Sequence, residues 1–197
     1  MKLVIATSNK GKFKEFKKML SDLPLQLLSL MDFPGIIIGE RGSSFEENAM
    51  LKALETARKT GLPSLGDDSG LEVEALNGRP GIFTARYAGE NATSEENIKK
   101  LLFELEGIPF EKRMAQFVCC LCFALPDGRC FTEKGILKGY ITLTPCGSKG
   151  FGYDPVFYVP ELGKTLAELD EEEKNKISHR GNALEKLRGH ILCELGY

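Results

Sequence analysis

Asp67-Asp68-Ser69-Gly70 sets two carboxylates side by side, between a short apolar stretch (62–66) and an alternating one (71–76). The flanks read as strands and the acids as the turn between them. Adjacent like charges are costly to desolvate unless something positive compensates them. A divalent metal or a reactive proton would explain the placement. Taken alone, the same four residues also make an ordinary solvated turn, because Asp, Ser and Gly are common turn formers.

Four further constellations bear on chemistry. Thr7-x-Asn9-x-x-Lys12-x-x-Glu15 follows an apolar run (2–6) and precedes a helical spacing of Phe13, Phe16, Lys17 and Leu20. A strand, a polar loop and a helix in that order aim backbone N–H groups at an anion. Thr7, Ser8 and Asn9 add side-chain donors, Lys10 and Lys12 add charge, and Gly11 keeps the loop tight. The loop is not a Walker A, since GxxxxGK[ST] is absent. Its structural alternative is a helix cap at Ser8 or Asn9 with solvated lysines. Glu40 precedes a helix that starts near Ser44 and carries Lys52. A carboxylate there can join an aspartate around Mg²⁺, which takes few protein carboxylates and keeps several waters.

Gly150-Phe151-Gly152-Tyr153-Asp154-Pro155 combines glycines, which permit close backbone approach, with aromatics that offer a face to a flat ring. Lys174-x-x-x-Ser178-His179-Arg180-Gly181 gathers a cation, an imidazole and a fork donor at the start of the last helix. Cations at a helix N-terminus oppose its dipole, and that misfit favours a functional reading.

The elements that must position these groups fit in 197 residues, which suits one domain, or one domain with two lobes. Hydrophobic content of 42% and charged content of 27% support a folded core. The net charge of −2 supplies no global basic field for nucleic acid, so positive groups for an anionic ligand must be local. No apolar run reaches membrane-spanning length and no signal-peptide layout opens the chain, so no membrane partner and a cytoplasmic location are expected. Three of the six cysteines crowd into Cys119-Cys120-Leu121-Cys122, an apolar run read as a buried strand. The CxxC pair within it has no second pair at zinc spacing, and a strand turns its two side chains to opposite faces. Buried free thiols are the expectation.

Strands are predicted at 2–6, 25–30, 36–38, 115–125, 130–137 and 140–143. Helices are predicted behind the capping boxes at Ser44, Thr93 and Thr165, and from about 182 to 195 with Leu184, Leu187, Ile191, Leu192 and Leu195 inward. Helices and strands mix throughout, so the class is α/β or α+β with a mixed sheet.

The order of these motifs resembles the inosine triphosphate pyrophosphatase family. The matching runs are Ala6 to Glu15, Phe45-Glu46-Glu47-Asn48-Ala49 with Lys52-Ala53, Asp67 to Leu71, Gly78-Arg79-Pro80-Gly81, Ala85-Arg86-Tyr87-Ala88-Gly89, Gly150 to Pro155, and Ser178-His179-Arg180. They run from residue 3 to about residue 190. Arg41 departs from the usual Glu-Asp-Gly style of its loop but leaves Glu40 intact.

The resemblance implies a two-lobed mixed α/β domain over 1–197, with a long sheet flanked by helices and the active site in the cleft between the lobes. It implies a homodimer that hydrolyses deaminated purine nucleoside triphosphates (ITP, dITP, XTP) to the monophosphate and pyrophosphate with Mg²⁺. Carried over residue by residue, Thr7, Ser8, Asn9, Lys10, Gly11 and Lys12 resemble the phosphate loop. Asp68 resembles the proton acceptor and a metal ligand, with Glu40 as a second metal-side acid. Lys52 and Ser69 fall at substrate-contact positions. Phe151, Gly152, Tyr153 and Asp154 resemble the run beside base and sugar, and Lys174, His179 and Arg180 the base-recognising end. On that reading His179 or Arg180 donates to a 6-oxo group, and loss of Arg180 erodes the preference for ITP over ATP. Two alternatives stand beside it: a pyrophosphatase for other modified nucleotides, and a nucleotide-binding regulator without turnover. The acidic set Glu40, Asp67 and Asp68 argues against the second.

Overall fold

The computed structural model describes residues 1–39 and 41–196. Seven strands form one mixed sheet: β1 (Lys2–Ile5), β2 (Gln26–Ser29), β3 (Ser64–Val73), β4 (Met114–Ala124), β5 (Cys130–Ile141), β6 (Phe157–Val159) and β7 (Lys164–Thr165). Their order is β2-β1-β3-β4-β5-β6-β7. β1 pairs in parallel with β2 and β3, whereas β6 pairs antiparallel with β5 and β7. The helices are α1 (Lys10–Met19), α2 (Phe45–Thr60), α3 (Ser94–Glu104), α4 (Glu171–Ile177) and α5 (His179–Leu195). The expected mixed α/β class is the observed one. No helix among the described residues is long and apolar enough to cross a membrane.

The chain folds into two compact units, and β3, β4 and β5 each contribute residues to both. The first unit comprises Met1–Asp68, Cys119–Gly135 and the chain from His179 onward. Its core joins Leu3 and Ile5 of β1, Phe16 and Leu20 of α1, Leu121 and Phe123 of β4, and Leu187 and Ile191 of α5. The second unit comprises Ser69–Val118 and Ile136–Ser178. Leu71, Val73, Ile98, Leu101, Phe117, Val156 and Phe157 pack its core. Arg113 pins that unit from inside, donating to the carbonyls of Leu105, Ile108 and Thr142.

Several expected elements change. Asp67-Asp68-Ser69-Gly70 is not a turn but the middle of the ten-residue β3. Turn-forming composition is overridden because tertiary partners meet both carboxylates, and the strand sends the two side chains to opposite faces. The 36–38 run is not a strand. The two strands expected over 130–143 are one continuous β5. α5 begins at His179, not near 182, so His179 and Arg180 are its first two residues and Lys174 belongs to α4. Leu192 is only half-buried on α5.

The cysteine run behaves as expected of buried thiols. Cys119, Cys120 and Cys122 are buried and free. Burial pushes the Cys120 thiol up to about 11 and the Cys122 thiol up to about 12, so both stay protonated at neutral pH.

Candidate functional site

In the first unit, Thr7, Ser8 and Asn9 form the loop between β1 and α1, and Lys10, Gly11 and Lys12 open the helix. Asn9 is the N-cap: its Oδ1 accepts from the Lys12 backbone N–H at 3.0 Å, while its own N–H donates to Thr7 Oγ1 at 3.1 Å. The capped-helix reading of this loop is therefore the observed one. The first turn of α1 holds no acid, whereas α2, α3 and α4 all open on glutamates. Lysines where the dipole favours negative charge leave the α1 N-terminus suited to an external anion.

The alternation of β3 separates the two acids by face and by partner. Asp67 is fully buried. Its Oδ1 accepts from Lys12 Nζ, and its Oδ2 accepts from Arg180 Nε at 2.7 Å and from Cys119 Sγ at 3.4 Å. Arg180 Nη1 donates onward to Glu15 Oε2 at 2.5 Å. Two cations and two carboxylates thus make a continuous chain, Glu15–Arg180–Asp67–Lys12. Burial alone would raise the Asp67 carboxyl, but Arg180 and Lys12 beside it outweigh that and hold it well below the usual carboxylate range. Burial opposes the Arg180 charge, and Asp67 and Glu15 more than restore it.

Asp68 meets α2 instead. Lys52 Nζ donates to its Oδ1 at 2.7 Å, and Asn48 Nδ2 to its Oδ2 at 3.2 Å. Asn48 and Lys52 lie four apart, so they share one helix face with Ala49 and Ala53. That face is small and polar rather than leucine-lined because α2 approaches β3 closely at Gly66. A Cβ there would fall 2.2 Å from the Ala49 carbonyl oxygen and 2.8 Å from the Ala53 nitrogen. Gly66→Ala is expected to lift α2 and lower stability by about 1–3 kcal/mol. Urea unfolding checks this, and an unchanged midpoint would contradict the seating. Gly135 of β5 seats α5 in the same way: a Cβ there would fall 2.1 Å from the His179 carbonyl oxygen.

The second unit holds the remaining candidates. Ser69, half-buried on β3, is its first residue. Asp154 Oδ2 accepts from the Phe151 N–H at 2.8 Å and from Lys174 Nζ at 2.6 Å. The same ammonium lies 4.6 Å from the Phe151 ring centroid. Gly150, at φ 77°, leaves room for the Asp154 carboxylate, which a Cβ would meet at 2.0 Å. Tyr153 is buried with its hydroxyl donating to the Thr84 carbonyl at 3.0 Å, a packing role that pushes its pKa up. Gly152 completes the turn at φ 62°.

The expected residues therefore fall into two sets. Thr7 to Lys12, Lys52, Asp68, His179 and Arg180 belong to the first unit, and Ser69, Phe151 to Asp154 and Lys174 to the second. Glu40 lies outside the described residues. Arg180, expected from the resemblance to meet a base, is buried against Asp67 and Glu15. Sequence reasoning includes Asn48 and Glu15 in its motifs but gives no site role to either, nor to Cys119. The i, i+4 spacing of Asn48 and Lys52 could have exposed the first; no local signal points to Cys119. Among the described residues, no three His, Cys, Asp or Glu side chains gather to hold a metal ion.

The model of the Ham1 family matches residues 3–190. A dITP/XTP pyrophosphatase of Geobacter sulfurreducens is 52% identical over 191 residues, 96% of either chain. Another, from Halalkalibacterium halodurans, is 50% identical and covers 93% of this chain and 95% of its own. The solved structure of a HAM1 protein from Coxiella burnetii superposes with a TM-score of 0.87 at 44% identity, covering 98% of this chain and 99% of that one. The Staphylococcus aureus Ham1 protein gives 0.85 at 45% identity, with 98% and 100% covered.

Proposed function

The chain belongs to the Ham1 family, and we propose that it hydrolyses deaminated purine nucleoside triphosphates (ITP, dITP and XTP) to the monophosphate and pyrophosphate, cleansing the nucleotide pool. The near full-length likeness to dITP/XTP pyrophosphatases supports the substrate class. The observation that carries the chemistry is the buried Asp68 carboxylate, gripped by Lys52 and Asn48, in the same unit as a helix N-terminus that opens on lysines.

Asp68 also suits Mg²⁺. That ion prefers hard oxygen and is commonly held by one or two carboxylates plus substrate phosphates. Asp67 suits it less, because its side chain is wholly buried between two cations, Lys12 and Arg180, whereas Asp68 meets one cation and one neutral amide. Asp68, with Glu40, would hold the ion. Bound there, Mg²⁺ supplies charge neutralisation for the phosphate oxygens and the departing pyrophosphate.

The chain's own residues do the rest. Lys10, Lys12 and the N–H groups at the start of α1 bind phosphate oxygens. Asp68 accepts a proton from water as its oxygen bonds to the α-phosphorus and the bridge to the β-phosphorus breaks. Lys52 and Asn48 keep the carboxylate in one orientation for that transfer. The base-side roles of Phe151, Lys174 and His179 are carried by the family resemblance alone. Arg180 works behind the loop by holding Asp67, and Asp67 holds Lys12. The family resemblance supports a homodimer, and the cytoplasm is the compartment expected from the sequence.

A nucleotide panel tests the substrate class. Pyrophosphate release is expected with ITP, dITP and XTP and much less with ATP, GTP or methylated pyrimidine triphosphates. Preference for the pyrimidines would favour the other pyrophosphatase reading.

A further inference from the structure

Cys119 sits at the centre of β4, wholly buried among Leu3, Ile5, Phe16 and Leu121, where a small apolar side chain would suffice. Its thiol is nonetheless aimed at a charge: Sγ lies 3.4 Å from Oδ2 of Asp67. Arg180 Nε takes the same oxygen from α5 at 2.7 Å. Two elements of the fold therefore meet at Oδ2, while Oδ1 accepts from Lys12 Nζ of α1 and, at 3.5 Å, from Arg180 Nη2. From these contacts we infer that Cys119 is a positioning residue for Lys12, acting through Asp67.

The inference rests on the reading of residues 7–12 as the phosphate loop. In the chain Glu15–Arg180–Asp67–Lys12 the side chains are 10%, 2%, 0% and 17% exposed, so Lys12 is the member that most reaches outward. A lysine ammonium on a four-carbon stem has many rotamers and loses entropy when fixed. A carboxylate held in one plane fixes it before any phosphate arrives, and preorganisation of that kind lowers the cost of binding. A thiol suits the inner position because cysteine packs as a small hydrophobe while keeping a weak donor.

A double-mutant cycle between Cys119→Ala and Lys12→Ala tests this. The readouts are KM and kcat for ITP with Mg²⁺, and the calorimetric affinity for inorganic tripolyphosphate. Cys119→Ala alone is expected to raise KM and weaken tripolyphosphate binding by about 3–10-fold, the scale of one modest hydrogen bond, with kcat changed by less than about 2-fold. In the Lys12→Ala background the same substitution is expected to change either readout by less than about 2-fold. Cys119→Ser keeps a donor and is expected to stay near wild type, while Cys119→Val, which fills the space without a donor, is expected to behave like alanine.

Equal losses in both backgrounds, equal losses for serine and alanine, or no loss at all would each overturn the inference in favour of simple packing. Should the alanine variant not fold, the serine–valine comparison decides alone. Coupling in tripolyphosphate affinity without ITP turnover would uphold the positioning role and reject the proposed activity. Turnover without coupling would do the reverse.

Discussion

Asp68→Asn is expected to cut pyrophosphate release from ITP by about 10²–10⁴-fold, the range lost when a positioned proton acceptor is removed. Asparagine keeps the shape and one acceptor oxygen, so Lys52 retains a partner for its hydrogen bond while losing its counter-charge. Some stability is lost with that charge, so activity is compared only where circular dichroism reports a folded chain. Asp67→Asn should separate cleanly from it. Asp67 touches no solvent and neutralises two cations, so its loss falls first on stability and on the placement of Lys12. A folded Asp68→Asn variant with full activity would remove Asp68 from the chemistry.

The second large effect belongs to Arg180. Arg180→Ala leaves Asp67 and Glu15 buried without their shared guanidinium, and breaking a buried ion pair costs about 3–5 kcal/mol. Whole domains are stable by only about 5–15 kcal/mol, so a large fall in the unfolding midpoint is expected. Activity should fall on ITP and ATP alike, because the residue acts behind the phosphate loop. A selective loss on ITP would restore the base-recognising role implied by the resemblance. Arg180→Lys keeps the charge without the two-armed geometry, and an intermediate stability is expected.

The pH dependence follows from Asp67. Its carboxyl is held below the unfolded value, so its contribution is complete above about pH 4 and fades as pH falls through the folded value. The stability gap between wild type and Arg180→Ala should therefore be constant above that pH and narrow below it. A gap that widened in acid would contradict the ion-pair assignment.

Much of this arrangement is legible in the sequence. The strand–loop–helix at 1–19, the caps at Ser44 and Thr93 and the mixed class follow from local patterns whose periods match the elements formed. The acidic run is the instructive exception. Gly66-Asp67-Asp68-Ser69-Gly70 has the composition of a turn and becomes a strand, because cations reach it from helices distant in sequence. Lys12 lies 55 residues before Asp67 and Arg180 lies 113 after it. No window of local sequence contains that compensation. The packing of α2 shows a related effect. The face that matters is Asn48, Ala49, Lys52 and Ala53, chosen by a close approach to Gly66 and not by hydrophobicity. α5 starts at His179, before the expected 182, and its cationic opening is compensated by Asp67 and Glu15, which neutralise Arg180.

The proposed reaction is tested most directly by its products. With ITP and Mg²⁺, phosphorus NMR or ion-exchange chromatography should show IMP and pyrophosphate appearing in equal amounts, with no IDP and no burst of inorganic phosphate. IDP with phosphate, or ITP bound and recovered intact, would contradict it.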